Sequence, residues 1–209
     1  MIRILIADDH SIVRSGLKQI IATEKDFKVV GEASQGSEVL HKLQRGGVDL
    51  LLTDLSMPGI SALDLIARAR AEAPKVPIIA LSMHNETQLV FRVLRAGASG
   101  YVTKSSDPAI LLGAIRKVAQ GGRFIDPNLV DAIVFGKPED APPHAILSDR
   151  EYEVLQLISR GLSVAEIGNT LFVSAKTIST HKARMMQKLG INNNADLVRY
   201  AIRHGMVHE

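Results

Sequence analysis

Five residues of this chain could do chemistry together. Asp8 and Asp9 follow the apolar run IRILIA (2–7), Asp54 closes LLLTD (50–54), Ser82 closes PIIALS (77–82) and Lys104 closes ASGYVTK (98–104). Three carboxylates gathered in one place repel one another unless a cation sits among them. With no cysteine in the chain and no histidine expected to converge with them, hard oxygen ligands favour Mg2+ over zinc. Mg2+ also takes phosphoryl oxygens, so one aspartate is a candidate nucleophile that would form an acyl phosphate. Mg2+ and Lys104 would neutralise the transferring group, and the Ser82 hydroxyl would donate to it. A Walker-type phosphate loop is absent from the sequence, which argues against a small-molecule kinase.

Elements must bring these residues together. The four runs above and KVVGEA (28–33) are short, rich in Ile, Leu and Val, and bounded by Gly, Asp or Pro, which is the pattern of buried strands. Between them, stretches 13–23, 36–46, 61–72, 85–97 and 107–121 space apolar residues three and four apart, as amphipathic helices do. The alternation predicts a doubly wound, five-stranded parallel α/β sheet, with the reactive residues at the crevice outside its strand C-termini. Residues 1–125 form this domain. A joining region covers 126–146, whose stretch GKPEDAPPHA (136–145) holds three prolines. Residues 147–209 read as an all-α domain with helices at 149–161, 163–171, 174–190 and 193–205. Ser148 with Glu151 and Ser163 with Glu166 predict two capping boxes, and Gly161, Gly190 and Gly205 predict helix ends.

The 209 residues are 46% hydrophobic and 22% charged, an ordinary globular balance, and no apolar run is long enough to span a membrane. Net charge is only +3, yet the last 36 residues hold six basic side chains against two acidic ones. That bias places any nucleic-acid footprint there. The helices at 163–171 and 174–188 are joined through Phe172, Val173 and Ser174, the close spacing of a helix-turn-helix. On the second helix Ile178, Met185 and Leu189, with Met186 beside them, face the core, leaving Lys176, Ser179, Thr180, Lys182 and Ala183 outward.

The ordered set ADDH (7–10), TDLSMPG (53–59), ALS (80–82) and GYVTK (100–104) closely resembles the receiver domains of two-component response regulators. The resemblance implies that Asp54 is the phosphoacceptor, that Asp8, Asp9 and Asp54 hold Mg2+, and that Ser82 is the switch hydroxyl and Lys104 the phosphate-pairing lysine. Tyr101 occupies the place of the aromatic whose rotamer reads out phosphorylation. Ser56 and His84 flank the approach of the hydrolytic water and are candidates for setting the lifetime of the phosphoryl group.

Residues 147–190 resemble the LuxR-type helix-turn-helix of the NarL/FixJ class. That likeness implies base-edge contacts from Ser179, Thr180 and Ala183, and phosphate contact or helix positioning by Lys176, Thr177, His181, Lys182, Arg184 and Lys188. It further implies a sensor histidine kinase as phosphodonor, double-stranded DNA with paired half-sites, a homodimer when active, RNA polymerase as a further partner, and the bacterial cytoplasm as location. The helix at 193–205 offers Leu197, Val198, Ala201 and Ile202 either to its own core or to the dimer. Gly168 and Tyr152 depart from the family pattern, and the glycine suggests a close helix crossing. The resulting expectation is a phosphorylation-controlled transcriptional regulator whose only turnover is Mg2+-dependent self-phosphorylation and slow self-dephosphorylation. The competing reading is a DNA-binding regulator of the same fold that works without phosphorylation.

Overall fold

A computed structural model describes residues 1–83, 87–135, 143–204 and Met206. The chain divides into two compact units, 1–135 and 136–209. In the first, strands β1 (Ile2–Ala7), β2 (Phe27–Ala33), β3 (Leu50–Asp54), β4 (Ile78–Ser82), β5 (Gly100–Thr103) and β6 (Phe124–Ile125) alternate with helices. These are α1 (Ser11–Ala22), α2 (Gly36–Gln44), α3 (Ala62–Glu72), α4 (Thr87–Arg95), α5 (Pro108–Ala119) and α6 (Pro127–Phe135). The sheet is parallel, in the order β2-β1-β3-β4-β5-β6.

Burial of both faces explains the continuous apolar runs. Ile4 and Ile6 of β1 join Leu50 and Leu52 of β3 and the inner sides of α1 and α5 in one core cluster. The intervening Leu5 and Leu51 are equally buried, and strand alternation turns them to the other face. On the helices, Leu17 and Ile21 of α1 and Leu111, Ile115 and Val118 of α5 supply the apolar stripe. Because β2 and β3 lie on opposite sides of β1, the strand order reverses there. A crevice therefore opens at the C-terminal ends of β1 and β3.

The sheet has six strands where five were expected. Phe124 and Ile125 pair with Gly100 and Tyr101 of β5, and two residues are too few to show a period in sequence. Residues 127–135, inside the stretch read as a joining region, form α6 and belong to the first compact unit. The prolines at 138 and 142, like Gly205, lie outside the described residues.

The second unit comprises a 3-10 turn (Pro143–Ile146) and helices α7 (Asp149–Ser159), α8 (Val164–Thr170), α9 (Ala175–Leu189) and α10 (Asn194–Arg203). Both expected capping boxes form, Ser148 with Glu151 and Ser163 with Glu166. Gly161 and Gly190 stand at positive φ just past α7 and α9. Ile167, Ile178, Met185, Leu197 and Ala201 are buried in the core between the helices. Gly168 is required by close approach. A Cβ there would lie 2.8 Å from the Val173 carbonyl oxygen and 3.4 Å from the Ala175 nitrogen, so the backbone of the α8–α9 turn rests directly on α8. Among the described residues no helix is long and apolar enough to cross a membrane.

Candidate functional site

The crevice at the ends of β1, β3, β4 and β5 gathers the expected residues. Asp8, Asp54 and Ser82 are buried, and the Lys104 side chain is 11% exposed. The Lys104 ammonium bridges the two buried acids, with Nζ 2.7 Å from Asp8 Oδ2 and 2.9 Å from Asp54 Oδ1. The lysine is itself fixed to β4, since its backbone N–H donates to the Ser82 carbonyl at 2.8 Å. Asp8 is held from both sides: its Oδ1 accepts the His10 N–H at 2.8 Å, and Arg14 Nη1 donates to its carbonyl at 2.7 Å.

Two buried carboxylates facing one ammonium leave a net negative charge in a desolvated place. Burial raises the Asp54 pKa, as does the neighbouring Asp8. The charge and hydrogen bond of Lys104 and the Ser56 N–H pull the other way without overcoming it. Burial alone would lower the Lys104 pKa, but its two acidic partners outweigh that and hold it above the ordinary lysine value. Asp54 Oδ2 is buried and accepts no hydrogen bond among the described residues. An unsatisfied carboxylate oxygen of this kind fits a cation. Ligand atoms of Asp8, Asp9, His10 and Asp54 all lie within 4.8 Å of one another.

His10 is the member that spacing did not reveal. Its Nδ1 sits 2.8 Å from Asp9 Oδ1 and 3.3 Å from Asp8 Oδ1, with the ring side chain 65% exposed. A residue immediately after two strand-end acids reads as the start of a helix; only the turn into α1 curls it back. Tyr101 is fully buried on β5, while His84 lies outside the described residues.

A further carboxylate was not singled out in sequence. Asp126, fully buried, accepts the Thr103 N–H at 2.9 Å, the Thr103 hydroxyl at 3.0 Å, the Ser106 hydroxyl and, through its other oxygen, the Asn128 N–H at 3.0 Å. One side chain thus ties the end of β5, next to Lys104, to the first turn of α6. Burial raises its pKa, but these donors outweigh burial and lower it overall. The ionised form is therefore the stabilising one: its contribution is present above the ordinary carboxylate range and is lost as pH falls through the lowered value. Asp126→Ala strands the buried Thr103 N–H and should cost about 2–3 kcal/mol of stability, read as a lower urea midpoint. An unchanged midpoint would show the network to be energetically idle.

On α9 the outward face is that expected. Lys176, Thr177, Ser179, Thr180, Ala183 and Arg184 are exposed, and His181 and Lys182 are half-buried. The Ser179 and Thr180 hydroxyls donate to the Ala175 and Lys176 carbonyls at 2.9 and 3.0 Å. With the protons directed inward, each oxygen presents lone pairs, and Thr180 adds a methyl group. Lys188 differs from its neighbours. Its Nζ lies 2.6 Å from Glu151 Oε2 and 3.4 Å from the Ile146 carbonyl, so it fastens the last turn of α9 to the capping box of α7. On α10, Leu197 and Ala201 are buried in the core while Ile202 is 60% exposed.

A parallel α/β unit with a lysine-bridged acidic crevice, followed by a helix-turn-helix unit, defines the response-regulator class. Residues 4–116 match the response regulator receiver domain family, and residues 145–201 match the luxR family of bacterial regulatory proteins. The chain is 38% identical over 209 residues to the response regulator UvrY of Escherichia coli, covering 99% of this chain and 96% of that one. It is 39% identical over 210 residues to the oxygen regulatory protein NreC of Staphylococcus carnosus, covering 96% and 97%. Among solved structures, RcsB of Salmonella enterica serovar Typhimurium, bound to a promoter in the presence of phosphomimetic BeF3−, superposes with a TM-score of 0.79. Its identity is 32%, with 95% of this chain and 97% of that one covered. The protein belongs to the two-component response regulators of the NarL/FixJ type. It joins a phosphorylation-controlled receiver domain to a DNA-binding helix-turn-helix domain.

Proposed function

We propose that Asp54 is the phosphoacceptor and that the observation carrying this is the Lys104 ammonium, held 2.9 Å from Asp54 Oδ1 by a second buried acid. An Asp54 oxygen attacks the phosphorus of a phosphohistidine on a sensor kinase. The P–N bond breaks, its electron pair and a proton stay with the imidazole, and Asp54 becomes a mixed anhydride. Lys104 and the Ser82 hydroxyl meet the new phosphoryl oxygens. Asp8, Asp9 and Asp54 are the residues to hold Mg2+, which supplies charge neutralisation for the phosphoryl group when bound. Drawing Ser82 toward the phosphoryl group changes the space beside Tyr101, the switch to the active homodimer.

The dimer reads paired half-sites in double-stranded DNA, a reading supported by RcsB, whose dimers bind DNA. Ser179, Thr180 and Ala183 face base edges, and their acceptor lone pairs and methyl groups suit single hydrogen bonds and thymine methyls. Lys176, Thr177, His181, Lys182 and Arg184 meet phosphates, and Lys188 positions the helix. Residues 1–125, extended by α6 to 135, receive the signal, the following stretch to 146 joins the domains and 147–209 read DNA, with RNA polymerase a further partner, in the bacterial cytoplasm.

The test is selection of DNA from a random library by the full chain with and without acetyl phosphate and Mg2+. A palindrome enriched more strongly after phosphorylation is the expected result. Equal enrichment in both arms would leave a DNA-binding protein that acts without phosphorylation.

A further inference from the structure

Phe172 occupies a position that its residue type makes costly. It stands in the turn between α8 and α9 at φ 55°, the only residue other than glycine at positive φ among the described residues, and it is 84% exposed. The turn ends α8 in a Schellman-like pair: the Phe172 N–H donates to the Asn169 carbonyl at 3.4 Å, and the Val173 N–H to the Gly168 carbonyl at 2.9 Å. The left-handed residue of such a cap is usually glycine, sometimes asparagine, because a Cβ is disfavoured there. A ring left in water gains almost nothing from burial, so no folding advantage offsets the strained backbone.

What the position offers is presentation. The turn backbone rests on Gly168 with no space for a Cβ between them, so the ring is mounted on a fixed base. It lies two residues before Ser174, the N-cap of α9, at the end of the helix that leads into a groove in a helix-turn-helix. Its neighbours decide the partner. Phe172 is the one large apolar side chain exposed on α8, the turn and α9 among the described residues. The exposed residues that follow it are Ser174, Ala175, Lys176, Thr177, Ser179 and Thr180. A protein-docking patch would surround such a ring with further apolar area. A lone ring beside a cation and several hydroxyls suits a surface where apolar sugar alternates with phosphate.

We propose that Phe172 contacts DNA: its ring packs on the deoxyribose of the strand bordering the groove that α9 enters, and sets the depth and angle of that entry. This rests on the DNA-reading role proposed for α9. It adds a contact from outside the helix and explains why the turn carries phenylalanine rather than glycine.

The test compares wild type, Phe172→Asn, Phe172→Gly and Phe172→Tyr as full chains treated with acetyl phosphate and Mg2+. The probe is a fluorescein-labelled pool of random duplexes about 30 base pairs long, roughly three helical turns. The Asn and Gly variants are expected to melt at or above the wild-type temperature, because the strain is relieved. Their DNA affinity should fall about five- to tenfold, with an unchanged slope of log K against log salt, since a ring neutralises no phosphate. Tyr should retain wild-type affinity. Wild-type affinity in the Asn and Gly variants would overturn the proposal, as would a fall in melting temperature that parallels the lost affinity. Unchanged DNA affinity with reduced transcription by purified RNA polymerase would assign the ring to a protein partner instead and likewise overturn it. If wild type itself shows no salt-dependent affinity, the DNA-reading role of α9 fails, a result separable from the others.

Discussion

Asp54→Asn is expected to take up no phosphoryl group from acetyl phosphate while remaining at least as stable as wild type. The two effects have one origin. The carboxylate is the nucleophile, and an amide oxygen cannot form the mixed anhydride. Yet the same carboxylate is unfavourable in the resting protein, where burial and Asp8 raise its pKa despite Lys104. Replacing it with a neutral isostere removes one of two buried negative charges and leaves Lys104 its 2.7 Å contact with Asp8. Phosphate incorporation followed by intact-mass spectrometry and a urea titration together check the prediction. Incorporation at wild-type level would move the acceptor elsewhere. Incorporation lost together with folding would show that Asp54 is a structural acid. DNA affinity of the variant should stay at the unphosphorylated level whatever acetyl phosphate is added.

The second large effect runs in the opposite direction. Lys104→Ala leaves Asp8 and Asp54 buried without their shared cation, and removing one partner from such a cluster typically costs about 3–5 kcal/mol. Asp54 limits the loss by taking a proton, so about 3 kcal/mol is expected at neutral pH. The pH dependence follows from the sign of the Asp54 shift. A carboxyl whose folded pKa lies above its unfolded one penalises the folded state at high pH, and the penalty disappears as pH falls through the folded value toward the ordinary carboxylate range. Without Lys104 that shift grows. The variant should therefore gain stability as pH falls from neutral toward the ordinary carboxylate range, more steeply than wild type does. A saturating divalent cation should also restore part of the loss, by about 2.7 kcal/mol at a hundredfold excess over its Kd. A variant as stable as wild type at pH 7 would mean that water, rather than Lys104, compensates the acids.

Strands and helices were legible because burial imposes its own period. Parallel strands covered on both faces must be apolar throughout, and the amphipathic stretches between them leave few alternatives. The acidic crevice was legible for a related reason: strand C-termini converge in this fold, so Asp8, Asp54, Ser82 and Lys104 needed only correct strand ends. The residues that escaped depend on turns. His10 joins Asp8 and Asp9 because of how the chain bends into α1, and Asp126 sits near Thr103 only because β6 docks beside β5. Lys188 carries the same charge as Lys176 and Arg184 and cannot be told from them by sequence. Its contact with Glu151 depends on the packing of α9 against α7. The strain at Phe172 is likewise invisible until the turn is built, since a phenylalanine after a helix reads as ordinary packing.

Strand order also bears on time. β1 completes its pairing only when β3 arrives, with Ile4 beside Leu50, so the receiver sheet depends on contacts between residues far apart in sequence. The capped helices of the second unit settle largely within themselves, and chains of such local contacts generally fold faster than non-local sheets. During synthesis at about 5–20 residues per second, the 74 residues from 136 to 209 emerge over about 4–15 s. The unit with more non-local pairing thus leaves the ribosome first and has those seconds to assemble before the DNA-binding unit is complete.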